Sequence, residues 1–481
     1  MNATTYEFFD TDGNSTVYYD GQNARQILIS EVKSAASGLS RTGDGNPQGV
    51  IDSINLYITT DAAVRDAQGG DWQYDDIDVG LPDGTTDSDG INAGQVSGGD
   101  RLENKMAGND PATLLGDGTF YTGALTSDPA LNLDVSTPAL YIQALVEGLA
   151  LEITDAQVET PVNVSGTGPV AIPAYVSAQG YDYAQLLQKS LLGIVTFNQG
   201  TADYLSTSWE SKLVSDGGAY ITHKFDEGWG YFGGATDYGQ LTDAEIKDGY
   251  NDTNNDGVLD IGRNSSSDAG QVDEFNFGNS VNCAKRDTSG QENTDFTSEA
   301  NSAFLTARGI LQDVADADEF SGTQLADLTD QITIASQTWE KCIAATVIHY
   351  INDVLADMEE FDVGVGYADI GNFTDLAKHW GEMYGFAIGL QFSPYSPFRT
   401  GYITDGLVAE ASVVNVDIND YDTALTLLGT GPVDYAGNMD GEPYQGFGNA
   451  VSIEQYKTDL QAARDILRDA YGFTQDQAST W

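Results

Sequence analysis

The order of apolar and polar positions predicts a chain built mostly of helices. Within residues 22–38, Ala24, Ile27, Leu28 and Val32 fall on one helical face. The same spacing recurs at 138–153 through Leu140, Ala144, Leu145 and Leu149. It recurs again at 183–206 through Leu186, Leu187, Leu191, Leu192, Val195 and Phe197. Helices are also predicted at 299–314, 374–390 and 454–471, and 325–358 is long enough for one extended or kinked helix. Thr242-Asp243-Ala244-Glu245 fits a capping box, so a short helix is expected to begin near 243. The start of the chain differs. Tyr6-Glu7-Phe8-Phe9 and Thr16-Val17-Tyr18-Tyr19 are β-prone and flank the turn sequence Asp12-Gly13-Asn14, which predicts a small hairpin. Residues 40–135 are rich in Gly, Asp, Asn and Thr and read as a long irregular excursion, with room for one helix at 51–64.

Composition narrows the range of functions. The chain has 481 residues, enough for two or three average domains, and 40% of them are hydrophobic, so a sizeable core is expected. The formal charge is −54, which disfavours nucleic acid and anionic lipid as partners. Such a charge suits solubility in salty water, as in a halophilic or marine setting, or the capture of cations. No stretch approaches the ~18 apolar residues of a membrane span. Met1-Asn2-Ala3-Thr4 has neither a basic nor an apolar leader region, which predicts that no signal peptide is present in this chain. Cys283 and Cys342 form no metal-binding pattern; they fit either a disulfide or two buried thiols.

The sharpest local motif is Asp252-Thr253-Asn254-Asn255-Asp256-Gly257-Val258-Leu259-Asp260. Oxygen ligands at Asp252, Asn254, Asp256 and Asp260, a backbone carbonyl at Val258 and a turn-forming Gly257 match the first nine positions of an EF-hand or dockerin-type calcium loop. Arg263 stands where the bidentate Glu is expected, so a complete site needs a further carboxylate, with Asp273 and Glu274 as candidates. The alternative is a solvated acidic turn.

The second signal is the placement of the three histidines. His223 precedes Asp226 and Glu227, His349 precedes Asp353, and His379 precedes Glu382. On a helix these spacings put imidazole and carboxylate on one face, where they can share a metal ion or a proton. Chance alone supplies such a carboxylate for each His roughly a quarter of the time in so acidic a chain. Context adds weight for two of them. The segments from His223 to Phe232 and from His379 to Phe386 share the order His, carboxylate, two residues, Gly, aromatic, which hints at an internal duplication. His349 lies among apolar residues and reads as a core or subsite histidine bonded to Asp353. No nucleophile elbow, phosphate loop or His-Glu-x-x-His motif is present.

Four segments carry a family resemblance: Phe9 through Arg25, Asn198-Gln-Gly-Thr-Ala-Asp-Tyr-Leu205, His223-x-x-Asp-Glu-x-x-Gly-Tyr-Phe-Gly233, and Lys378 through Phe392. They resemble an uncharacterised family of bacterial surface or periplasmic lipoproteins, which is similar to the imelysin (insulin-cleaving membrane protease-like) group. The resemblance spans nearly the whole chain. It implies an all-α fold of two pseudo-repeated helical-bundle halves, 1–235 and 236–481, with long irregular loops and the small N-terminal β-hairpin. It also implies export to the periplasm or cell surface, membrane attachment only through a lipid anchor that this chain lacks, and iron or other metal handling. The metal motif of that group is Gly-x-His-x-x-Glu. His379 and Glu382 keep its second half, whereas Ala377 and Ile221 replace the Gly before His379 and His223.

The expected function is thus an exported protein that binds a metal ion or metal complex through His223, Asp226, Glu227, His379 and Glu382. Iron, zinc or copper is expected there, with calcium at the acidic loop. The alternatives are a calcium-stabilised surface scaffold and a metal-dependent hydrolase.

Overall fold

A computed structural model describes residues 4–59, 101–109, 118–123, 135–155, 161–164, 166–177, 179–253, 273–290, 294–360, 367–399, 416–432, 444–446, 449–451 and 453–481. Helices dominate them, as the periodicity predicts. In chain order they are α1 (Asp20–Ser37), α2 (Pro47–Ile58), α3 (Leu102–Lys105), α4 (Pro138–Thr154), α5 (Tyr183–Leu191), α6 (Trp209–Asp216), α7 (Gly218–Phe232) and α8 (Asp243–Asp248). There follow α9 (Gly278–Asp287), α10 (Phe296–Ala317), α11 (Gln324–Glu359), α12 (Ile370–Gly389), α13 (Ile418–Leu427), α14 (Ile453–Tyr471) and α15 (Gln475–Thr480). Two small antiparallel hairpins complete the set: β1 (Pro161–Val164) with β2 (Gly168–Ala171), and β3 (Tyr444–Gly446) with β4 (Asn449–Val451). No helix among the described residues is long and apolar enough to cross a membrane.

The bundle is organised around α11. Its length follows from an uninterrupted apolar stripe without Pro or Gly, and it packs against α9, α10, α12 and α14. A second layer joins α12 to α5, α5 to α1 and α4, and α7 to α1 and α10. Helices from either side of residue 235 therefore share one hydrophobic core. Its aromatic centre links Trp229, Phe304, Phe232 and Trp339 in succession, with neighbouring ring centroids about 5 Å apart. The capping box forms as expected and starts α8: Thr242 accepts from the Glu245 N–H, and Glu245 reaches back to the Thr242 N–H at 2.8 Å.

The predicted helix at 183–206 takes a less common form. After α5 the backbone continues as two π-helical segments, Leu192–Phe197 and Gln199–Tyr204. Close approach accompanies it. A Cβ on Gly193 would lie 2.4 Å from the Gly389 Cα, and one on Gly200 would meet the Trp339 ring at 2.6 Å.

The N-terminal hairpin is reduced to one antiparallel bridge, Phe9 to Ser15, around a turn in which the Asp10 carboxylate accepts from the Asp12 and Asn14 N–H groups. The physical reason is that the flanking residues dock on the bundle instead of extending a ladder. Tyr6 stacks on Trp229 at 4.4 Å and donates its N–H to the Thr236 carbonyl, and Val17 and Tyr19 are buried. Within 40–135, α2 and α3 form, while residues 60–100, 110–117 and 124–134 lie outside the described residues.

Candidate polar site between α11 and α12

The Asp369 side chain caps the start of α12, which carries His379 onto a face opposite α11. On α11, His349, Asp353 and Asp357 recur every four residues and so share one stripe. The two stripes meet. His379 Nδ1 lies 2.8 Å from Asp357 Oδ2, and its Nε2 lies 4.0 Å from Asp353 Oδ2. His349 Nε2 lies 3.2 Å from the same Asp353 oxygen, as its spacing leads one to expect. Asp353 thus stands between both imidazoles. Their electrostatics diverge. Burial, reinforced by the Arg286 charge, pushes His349 down to about 3 and holds it neutral. Burial also acts to lower His379, but the hydrogen bond and charge of Asp357, with Asp353, outweigh it and raise the pKa.

Glu382 lies one turn after His379 but does not join this chain of contacts. Its Oε1 is 3.5 Å from Lys189 Nζ on α5, and its Oε2 is buried with no hydrogen-bond partner. Aromatic rings line the space beside it. Tyr350 stacks on Phe386 at 6.1 Å and on His379 at 6.0 Å, and the Lys189 ammonium sits 5.4 Å from the Phe386 ring. Further cations surround Glu382. Lys285, exposed on α9, interacts with Glu382, Arg286 and Lys33. Burial, followed by the charges of Lys33 and Lys285, lowers Lys189 to about 8 against the opposing pull of Glu382. Burial lowers Arg286 to about 10, with Tyr350, Asp353 and Glu382 opposing. The Arg286 side chain is only 5% exposed, and its Nε and Nη1 make no hydrogen bond. At the edge, the α5 cap Asp182 is raised to about 6, by burial first and by Glu382 to a lesser degree.

The first His motif is placed elsewhere. His223, on α7, is 39% exposed on its side chain and lies 3.9 Å from Glu227 Oε2. Glu227 accepts from the Gln22 amide at 2.9 Å. Asp226 is fully buried and committed to Arg308 on α10, whose Nε donates to it at 2.7 Å, and to the Tyr6 hydroxyl at 3.0 Å. Whereas α7 packs on α6, α10 and α1, α12 packs on α11 and α5, so the two His motifs have separate surroundings.

Of the acidic loop, Asp252 and Thr253 are described, whereas Asn254, Asp256, Val258 and Asp260 lie outside the described residues. The base of the loop is closed by a Tyr250–Phe275 bridge, and Asn251 donates its N–H to the Glu274 carbonyl at 3.1 Å. Glu274 is buried and accepts from the Thr253 N–H at 2.8 Å, and Asp237 accepts from the Thr253 hydroxyl. Asp273, the other candidate for completing the loop, is buried and accepts from the Asn23 amide at 2.8 Å.

Sequence reasoning misses Lys189, Arg286, Tyr350 and Asp357. One signal was available: Lys285-Arg286 is the one adjacent pair of basic residues in the chain. Cys283, on the same helix, forms a disulfide with Cys342 and ties α9 to α11. Among the described residues, no three His, Cys, Asp or Glu side chains are grouped to hold a metal ion. No family model, curated protein or solved structure matches this chain.

Proposed function

We propose that this is an exported binding protein whose ligand is a small polar solute held at the cluster around Glu382. One observation carries the reading. In a chain of formal charge −54, the buried Glu382 carboxylate acts on Lys189, Lys285 and Arg286, three of only 20 basic residues, with His379 one turn before it on the same helix. The ion pair with Lys189 already balances Glu382, so the further cations at this helix crossing favour a polar ligand. Export is supported by the buried disulfide, which suits an oxidising compartment, and by the imelysin-like motifs.

A bare transition-metal ion fits less well. Arg308 and Tyr6 occupy Asp226, and Asp357 takes His379 Nδ1. Calcium at 252–260 is retained as a structural role, since Glu274 and Asp237 place carboxylates at the base of that loop.

The test is a thermal-unfolding screen of polar solutes against the wild type and Arg286→Gln. A solute that raises the wild-type Tm and leaves the variant unmoved supports the reading. Stabilisation that ignores Arg286→Gln contradicts it. Elemental analysis of chelator-free protein checks the metal side: calcium is expected, and stoichiometric iron, zinc or copper lost in His379→Ala would restore the transition-metal reading.

A further inference from the structure

The binding reading above leaves the chemical class of the ligand open, and the inference here rests on that reading. Arg286 and Glu382 are both at least nine-tenths buried, at 5% and 4% exposure. Each presents polar atoms without a partner: Nε and Nη1 of the guanidinium, and Oε2 of the carboxylate. The Glu382 charge acts on Arg286 and both act on the Tyr350 hydroxyl, yet no hydrogen bond or ion pair joins the two charged groups. Buried donors and acceptors are normally satisfied, so open donors and an open acceptor in one cluster call for a ligand that supplies the complements of both.

We propose that the cluster takes an α-amino-acid-type zwitterion, with its carboxylate accepting from the Arg286 guanidinium and its ammonium on Glu382 Oε2. A guanidinium N–H donates a strong, charge-assisted hydrogen bond to a carboxylate, and a carboxylate oxygen accepts well from an ammonium. Charge discriminates against the simpler alternatives. A bare anion meets Glu382 and Asp353, and a bare cation meets Lys189, Lys285 and Arg286. A zwitterion adds no net charge to a site that already holds both signs. The stacked Tyr350 and Phe386 rings offer apolar surface for the rest of the ligand.

The experiment is calorimetric titration of the full chain with the common L-amino acids. For the tightest binder, the deaminated acid and the decarboxylated amine are titrated next. We expect one-to-one binding of at least one amino acid, with each truncated analogue weaker by roughly tenfold or more, since it leaves one buried group unpaired. Arg286→Lys and Glu382→Gln should each cost a similar factor while keeping wild-type circular dichroism. An acid that binds as tightly as its parent amino acid overturns the Glu382 assignment and turns the site into an anion site, leaving the binding reading intact. Failure of every amino acid to bind overturns the inference outright. The solute screen with Arg286→Gln then reports separately on the binding reading.

Discussion

Two buried carboxylates differ in how they are held, and the difference sets opposite expectations for their amides. Asp226 sits at zero exposure against Arg308, also fully buried. Asp226→Asn removes the charge and leaves a buried guanidinium uncompensated, which should destabilise the fold by about 3–5 kcal/mol in denaturant titrations. Glu340, on α11, is fully buried and bonded to the Tyr471 hydroxyl at 2.7 Å, and burial raises it from 4.5 to about 8. The folded state therefore holds a proton that the unfolded chain releases above about 4.5. Its contribution is complete below that pH and is lost as pH rises toward about 8. Glu340→Gln mimics the protonated form, so the variant should lose part of the decline in stability seen in the wild type between those limits. The gap between the two should grow with pH, on the order of a few kcal/mol at its largest. Parallel profiles would contradict a protonated Glu340.

At the scale of elements, the disulfide closes a separation of 59 residues between α9 and α11, and both sulfurs are buried. Cys283→Ala with Cys342→Ala should cost about 2–4 kcal/mol by the loop-closure argument, measured by urea unfolding. Where Gly193 meets Gly389, Gly193→Ala should force the π-helical segment away from α12 at a cost of about 1–3 kcal/mol. These contacts explain what the sequence made legible. Amphipathic periodicity is local, so α1, α4, α10, α11, α12 and α14 could be placed from residue spacing. The π-helical geometry could not, because it depends on which partner a glycine meets across the bundle. The pairing of His379 with Asp357 was hidden for the same reason. Spacing within α12 favoured Glu382, but the approach of α11 supplied a closer carboxylate. His349 and Asp353 lie on one helix, and their pairing was readable.

Across the whole molecule, the charge of −54 stores self-repulsion that salt should relieve. The Tm should rise from about 0.01 M to about 1 M NaCl, over which the screening length falls from about 30 Å to about 3 Å. Calcium should stabilise beyond that general effect, and Asp256→Asn should remove the calcium-specific increment while leaving the salt response. The Arg286 side chain reports most directly on binding at the cluster around Glu382. In ¹⁵N-labelled protein the Arg286 Nε–H resonance, identified by its loss in Arg286→Lys, should move in a saturable titration with any organic solute that raises the Tm at fixed salt and calcium. An organic solute that raises the Tm under those conditions and leaves that resonance in place would show that the ligand binds elsewhere.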